Sequence, residues 1–374
     1  MKDLQQILNA LQSAPAGGAV LATLVQVEGS SYRRPGARLL VIADGRRFGS
    51  ISGGCLEDDV VQHAQEVFET GWAKMITYDT TTENDLVWGV GLGCNGVVHV
   101  LVEKLSPQPV WVAALLDNFR QRKPTELIVV WREPAGTIPS APISHGDATP
   151  SSRAALQSRR GRRGSKTEAA PPPQSDCGTA VLGTYLASEL SNVQPDLVFR
   201  QTVPPPTPLV IFGAGDDAAP LVRFAKELGW HVTVVDPRPA FATPERFPEA
   251  DAVLVARSEE VPAGVAHGAD TLVVIMTHHY RHDLPLLRAL LPRPLAYLGL
   301  LGPRKRAEKI LADLAAQGSV ATPEMRLRLH APVGLDLGAD NPEEVALAIL
   351  AEMKASLAGR DGRPLRERVS PIHS

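Results

Sequence analysis

Apolar positions along the chain change period several times. Leu4, Ile7, Leu8 and Leu11 fall at i, i+3, i+4 and i+7, the spacing of one helix face, with Asp3 placed to cap that helix and Gly17-Gly18 to stop it. β-rich runs follow over 19–27 and 37–42, and Asp44-Gly45 is a hairpin signal before a further run over 46–51. After Gly53-Gly54-Cys55 the period returns to helical, with Leu56, Val60, Ala64, Val67 and Phe68 on one face and Gly71 as the stop. Strands are predicted over 74–78 and 97–102, a helix over 110–122 and a strand over 125–131. Together these elements make an N-terminal mixed α/β domain over residues 1–133.

Residues 134–176 break the pattern. Arg153, Arg159, Arg160, Arg162, Arg163 and Lys166 stand in a window without acids, followed by Pro171-Pro172-Pro173, and the stretch reads as a basic Pro/Ser-rich linker or insertion. No aromatic side chains interleave the charges to stack on bases, which favours a solvated loop over a nucleic-acid grip. A connecting segment is predicted over 177–206, where 182–190 and 196–203 add a helix or strand to the first domain and Pro204-Pro205-Pro206 forms a stiff joint. Over 207–359 short apolar runs alternate with helical patterns, the signature of a doubly wound, mostly parallel sheet with helices on both faces. Its last helix opens at Asn341-Pro342, a cap followed by proline in the first turn, and a polar tail is expected over 360–374.

Charge and composition narrow the reading. A length of 374 residues argues for two domains. Lys and Arg total 38 against 41 Asp and Glu, a net charge of −3, so no global field holds nucleic acid or an anionic membrane. Three cysteines cannot form a full disulfide framework, and no run approaches about 18 consecutive apolar residues. The expected location is the cytoplasm.

Candidate chemistry clusters at glycine-rich turns. Gly213-Ala214-Gly215-Asp216-Asp217-Ala218 follows an apolar strand and opens a helix, and the next strand ends in Asp236, about 20 residues past Gly215. This is the Rossmann fingerprint, in which glycines admit a pyrophosphate and the acid takes a ribose hydroxyl. Asp216 and Asp217 suit the helix dipole yet repel a phosphate at the same spot. Thr277-His278-His279-Tyr280-Arg281-His282-Asp283 follows another strand, at the sheet edge where ligands bind, and His278 is a candidate for metal ligation or proton transfer. Gly302-Pro303-Arg304-Lys305-Arg306 opens a helix with three cations, an anion cradle.

In the first domain, Gly29-Ser30-Ser31-Tyr32-Arg33-Arg34-Pro35-Gly36-Ala37-Arg38 joins flexible backbone to Arg33, Arg34 and Arg38, a loop suited to phosphate. Ser52-Gly53-Gly54-Cys55 and Gly91-Leu92-Gly93-Cys94 each set a cysteine among glycines. Cys55 stands at a helix start, where the dipole favours a thiolate able to act as nucleophile or soft-metal ligand.

These segments resemble the xanthine dehydrogenase accessory factor family of the XdhC/CoxI type. The likeness is carried in the first half by Gly29-Ser30-Ser31, Arg33-Arg34-Pro35-Gly36-Ala37, Ser52-Gly53-Gly54-Cys55-Leu56-Glu57 and Gly91-Leu92-Gly93-Cys94. In the second half it is carried by Ile211-Phe212-Gly213-Ala214-Gly215, Val235-Asp236-Pro237-Arg238, Met276-Thr277-His278, Tyr297-Leu298-Gly299-Leu300-Leu301-Gly302 and His330-Ala331-Pro332-Val333-Gly334-Leu335-Asp336. Asn95 departs from the pattern where a further glycine is usual, and the basic segment has no counterpart. The resemblance implies an accessory protein, more a chaperone than a turnover enzyme. Such a protein binds molybdenum cofactor (molybdopterin), supports its sulfuration with a cysteine desulfurase and delivers it to a xanthine dehydrogenase-type molybdoenzyme, and a homodimer is expected. On that reading Cys55 meets the metal or sulfur end, with Cys94 as a second functional thiol. Arg33, Arg34, Arg38 or the Arg304 cluster take the phosphate, and Gly53, Gly54, Gly213, Gly215, Asp236, His278 and Gly302 line binding sites. The alternative is an NAD(P)-dependent Rossmann oxidoreductase using Cys55 or His278, with NAD at the Rossmann turn.

Overall fold

The structure, a computed structural model, describes residues 1–13, 18–79, 96–132, 182–190, 198–262, 265 and 268–369. Cys94, Cys177 and the basic segment lie outside the described residues. The chain forms two compact units: Gln6–Pro204, and Pro205–Ser374 together with Met1–Gln5.

The first unit takes up the chain within α1 (Lys2–Gln12), whose Ile7 and Leu8 are buried. Strands β1 (Ala19–Gly29), β2 (Arg38–Ile42) and β3 (Arg47–Ser50) lead to helix α2 (Glu57–Thr70), and β4 (Lys74–Asp79) and β5 (Gly96–Leu105) follow. They build a five-stranded antiparallel sheet in the order β3-β2-β1-β5-β4. The glycine after the apolar helical stripe does what the sequence asks of it: Gly71 caps α2 with φ 75°, a left-handed conformation that glycine adopts without strain. Val60, Ala64 and Val67 of α2 pack on one face of the sheet against Val20, Ala22, Leu39, Val41, Val100 and Val102.

Strand alternation turns the next residues to the other face. Thr23 stands opposite Arg38 in the β1–β2 register, and Leu21 opposite Glu103 in β1–β5. Helix α3 (Val110–Arg120) then leads to a second sheet of β6 (Thr125–Val130), β7 (Gly183–Leu186) and β8 (Val198–Val203), in the order β7-β6-β8. Both β7 and β8 come from the stretch read as a connecting segment.

Two polar contacts tie the sheets together. Glu103 accepts from the Thr184 backbone N–H at 2.9 Å and the Thr184 hydroxyl at 2.5 Å, and Arg38 donates to Gln201 Oε1 at 2.7 Å. Arg38 therefore does not sit in an open loop as a phosphate grip. It is 4% exposed, because its strand position directs it between sheets, and burial pulls its guanidinium down to about 10 against the opposing pull of Glu103. Burial likewise pushes the Glu103 carboxyl up.

The second unit is a six-stranded parallel sheet. In chain order its elements are β9 (Pro208–Phe212), α4 (Ala218–Glu227), β10 (His231–Asp236), β11 (Ala252–Val255), β12 (Leu272–Ile275), α5 (Tyr280–Leu290), β13 (Tyr297–Leu300), α6 (Arg304–Ala316), α7 (Pro323–Leu327), β14 (Leu329–His330) and α8 (Pro342–Leu357). The strand order is β11-β10-β9-β12-β13-β14, with every ladder parallel. Helices α4 and α8 bury Leu221, Ala225, Ile349 and Met353 on one face, and α5 and α6 bury Leu287, Leu290, Ile310 and Leu314 on the other. This is the doubly wound fold that the β-α alternation predicts. The Asn341 cap is also as read, its side chain accepting from Glu344 N at 2.9 Å.

Helix α7 and edge strand β14 are additions that the sequence pattern does not announce. The His330–Asp336 motif secures that edge: His330 stacks on buried Tyr297 with centroids 4.1 Å apart, and Glu352 of α8 engages His330, the Tyr297 hydroxyl and Gly334 N. Among the described residues no helix is long and apolar enough to cross a membrane.

Replacing Arg38 tests the interlayer link. Arg38→Met removes the charged donor to Gln201 across the layers, and stability by urea titration is expected to fall by about 1.5–3 kcal/mol. A loss below about 1 kcal/mol would show that the link contributes little to the fold.

Candidate functional site

In the first unit the segment Ser50–Glu57 winds around its own acid. Glu57, the first residue of α2, accepts from the Ser50 hydroxyl at 2.7 Å, Ser52 N at 2.9 Å, Ile51 N at 3.2 Å and Leu56 N at 3.3 Å, and also from the Ser52 hydroxyl. Ser52 Oγ in turn accepts from the N–H groups of Gly54, Cys55 and Leu56, each at 3.2 Å. Burial alone would raise the Glu57 carboxyl; the Ser52 and Ser50 donors outweigh it and hold it down at about 2.

The loop places Cys55 half-buried, its Sγ 3.6 Å from Ser52 Oγ, beside exposed Gly53 and Gly54. The N–H groups just ahead of α2, at Gly54, Cys55 and Leu56, are thus taken up by Ser52 and Glu57. The geometry positions the Cys55 sulfur with the Ser52 hydroxyl beside it. Neither Ser52 nor Glu57 figures in the motif reading by role, although a serine and an acid flanking Gly53-Gly54-Cys55 offer that turn acceptors for its backbone donors.

The Tyr32 ring lies 3.5 Å from where a Cβ on Gly53 would stand, so the loop over 29–37 reaches the cysteine loop. That loop carries Arg33, half-buried, and Arg34, exposed. Of the three arginines expected there, two remain on the loop beside Cys55 and Arg38 is withdrawn into the interior.

In the second unit the strand order reverses between β9 and β12, the switch point at whose carboxyl end ligands enter such sheets. Gly213 ends β9 there with φ 123°, and a Cβ on it would stand 2.5 Å from the Met276 carbonyl, so only glycine lets the two strand ends approach. Gly215 is crowded from its own helix: a Cβ there would lie 2.6 Å from Asp217 Oδ1. The Asp217 carboxylate pairs with His278 Nε2 at 2.5 Å, and His278 holds a left-handed φ of 56°. A non-glycine residue in that region is strained, a feature concentrated at ligand sites.

The three histidines do not meet at one point: His278 turns to Asp217, while the His279 and His282 rings pack with centroids 5.1 Å apart. His282 bonds Ser258 Oγ at 2.7 Å, and no group of three or more metal-ligating side chains gathers among the described residues. The three-cation cluster also divides. Arg304 and Lys305 are exposed past Gly302, whereas Arg306 turns in to the buried Asp283, which also accepts from Thr277 Oγ1 at 2.5 Å. Burial, the leading influence, keeps the Asp283 carboxyl above its ordinary range.

Asp236 is 1% exposed, and four donors fill it. Oδ2 accepts from Ala214 N at 2.7 Å and Arg238 Nη2 at 2.9 Å, and Oδ1 from Arg238 N and Nε, each at 2.9 Å. Burial opposes the charge, but the Arg238 side chain and these N–H groups hold the carboxyl below its ordinary range.

Residues 209–353 match the XdhC Rossmann domain and residues 14–79 the XdhC and CoxI family. A probable xanthine dehydrogenase subunit of Bacillus subtilis (strain 168) is 33% identical over 337 residues, 90% of this chain and 92% of that one. The chain belongs to the XdhC and CoxI family. The molybdenum cofactor insertion chaperone PaoD of Escherichia coli (strain K12) is 26% identical over 90% of this chain and 82% of its own length. A crystal structure of a xanthine dehydrogenase from Bacillus halodurans aligns with TM-score 0.71 and 28% identity, covering 100% of this chain and 99% of that one.

The Rossmann domain of this XdhC-type chain does not fit NAD as the fingerprint alone suggests. A ribose diol needs a free acceptor at Asp236, whose lone pairs are taken, and a pyrophosphate needs the space beside Gly215 that the Asp217 carboxylate borders.

The cysteine loop supplies a pH test. Glu57→Gln is expected to cost about 1–3 kcal/mol at neutral pH, toward the lower end because the loop is half-exposed. Glu57 titrates near 2 in the folded state and near 4.3 when unfolded, so its stabilisation is complete above about pH 4.5 and fades as pH falls toward 2. Thermal melts of wild type and Glu57→Gln should therefore converge across that window.

Proposed function

We propose that this protein is a molybdenum-cofactor chaperone that takes up the cofactor as cargo, supports its sulfuration and passes it to a xanthine dehydrogenase-type enzyme. The observation that carries the reading is the Ser52–Glu57 loop: a turn closed by its own hydrogen bonds presents one half-buried thiol, Cys55, beside exposed glycines. Soft sulfur is an apt neighbour for the sulfur-ligated metal end of the cargo. Arg33 and Arg34, on the loop whose Tyr32 touches Gly53, add positive charge for an anionic pterin. The names of the relatives above support the same direction.

The sulfur that replaces an oxo ligand would come from a cysteine desulfurase, and a homodimer would be the working assembly. Cys94 would be the second thiol, and His278 and Arg304 would line the approach to the Rossmann crevice. The competing oxidoreductase reading loses its ribose-diol acceptor at Asp236.

Cys55→Ala tests the reading. The variant is expected to fold, with a stability loss of about 1 kcal/mol or less, because a small side chain at a half-exposed loop position is replaced by another. A client xanthine dehydrogenase co-expressed with it should carry little active, sulfurated cofactor. Full client activity, measured beside molybdenum content, would remove the thiol from the mechanism.

A further inference from the structure

A cationic ledge at the end of β10 has no part in the reading above. The Arg238 guanidinium lies 3.9 Å from the Phe241 ring centroid, and that of Arg246 lies 4.7 Å from the same ring. Arg238 commits Nε and Nη2 to Asp236, which fixes the plane of its fork and leaves the Nη1 edge of a side chain 48% exposed. Arg246 pairs with Asp216 at 2.6 Å, but that acid is 97% exposed, so water and salt screen the pair and a more highly charged anion can displace it. Two arginines are thus carried on one aromatic ring, one of them oriented by a buried acid.

The position defines the ligand chemistry. In a Rossmann domain the strand ending in this acid ends beside the ribose of a dinucleotide, where a free carboxylate selects a diol and an arginine accommodates a phosphate. Here the carboxylate has no free lone pair and the arginine stands in front of it. A guanidinium fork matches a tetrahedral oxyanion through paired N–H groups, and a dianion gains more from it than a neutral hydroxyl.

We infer that Arg238 and Arg246, carried on Phe241, bind a phosphate monoester dianion. Two sources share that chemistry, the terminal phosphate of the molybdenum cofactor and the 2′-phosphate of NADP. The first rests on the chaperone reading proposed above; the second does not. The Asp217 carboxylate beside Gly215 favours the first, because a terminal monoester asks nothing of the glycine turn whereas a dinucleotide must place its diphosphate there.

The test uses the full chain and three probes: NADPH, NADH as the diol control, and molybdenum cofactor released from a purified molybdoenzyme. Wild type should bind at least one monoester probe. That probe should bind about ten-fold more weakly to Arg238→Gln and to Arg246→Gln, the scale for losing a hydrogen bond to a charged group. Asp216→Asn, which frees Arg246, should tighten it several-fold, and NADH should bind no variant differently. Arg246→Gln leaves Asp236 and its partners intact, and melting curves for each variant separate lost binding from lost fold.

If wild type and both arginine variants hold the cofactor equally and NADPH is no better bound than NADH, the monoester site falls while the chaperone reading stands. If the cofactor does not bind wild type but NADPH binds and is weakened by both variants, the site stands with NADP as its source and the chaperone reading falls. Binding of neither monoester probe overturns both.

Discussion

Four donors converge on the buried Asp236 carboxylate, and they come from both sides of the crevice mouth. Ala214 N belongs to the glycine turn after β9, whereas the other three belong to Arg238, two residues beyond β10. One acid therefore fixes the turn, the strand end and the arginine in a single arrangement. The same geometry that makes the unit a recognisable Rossmann domain removes its usual ribose acceptor. A carboxylate offers about four lone-pair sites, and once they are filled a further hydroxyl gains nothing there. Recognition shifts outward to the guanidinium, from hydroxyls to anions.

The legibility of this molecule in its sequence follows the range of the interactions involved. Helix periodicity, the Asn341 cap, the Gly71 stop and the β-α alternation are local, and they place α2, α8 and the parallel sheet correctly. Arg38 shows the opposite case. By proximity to Arg33 and Arg34 it reads as one of three loop cations, yet the ladder with β1 begins at that residue and turns it inward to Gln201, which lies far along the chain. Strand pairing across such a separation leaves no periodic trace. That 182–190 and 196–203 add to the first domain is legible, but their pairing on either side of β6 is hidden for the same reason, and β14, with two residues, is too short for any pattern to reveal.

At the candidate sites the residue types are legible and their partners are not. Gly53-Gly54-Cys55 marks a turn with a thiol, but only the fold shows Ser52 and Glu57 taking up the backbone donors of that turn. Arg304, Lys305 and Arg306 read as one cradle until Arg306 is found against Asp283. Charge runs state what is available; packing decides what is left over for a ligand. Arg238 reads in the sequence as part of a motif without a role, because its significance depends on Asp236 being saturated and Phe241 lying beneath it.

The interlayer contact in the first unit bears on how the protein can be taken apart. Glu103 meets Thr184, and Arg38 meets Gln201, across the long basic stretch that separates β6 from β7. A fragment ending near residue 133 would keep both charged groups and lose both neutral partners. Dissection at the most inviting cut in the sequence would therefore yield a piece with an exposed, half-solvated inner face, prone to associate with itself. Cleavage within the basic stretch, with both fragments retained, would leave the contacts intact. The long insertion is thus an interruption within one folded body, and the sequence on its far side belongs to the structure that precedes it.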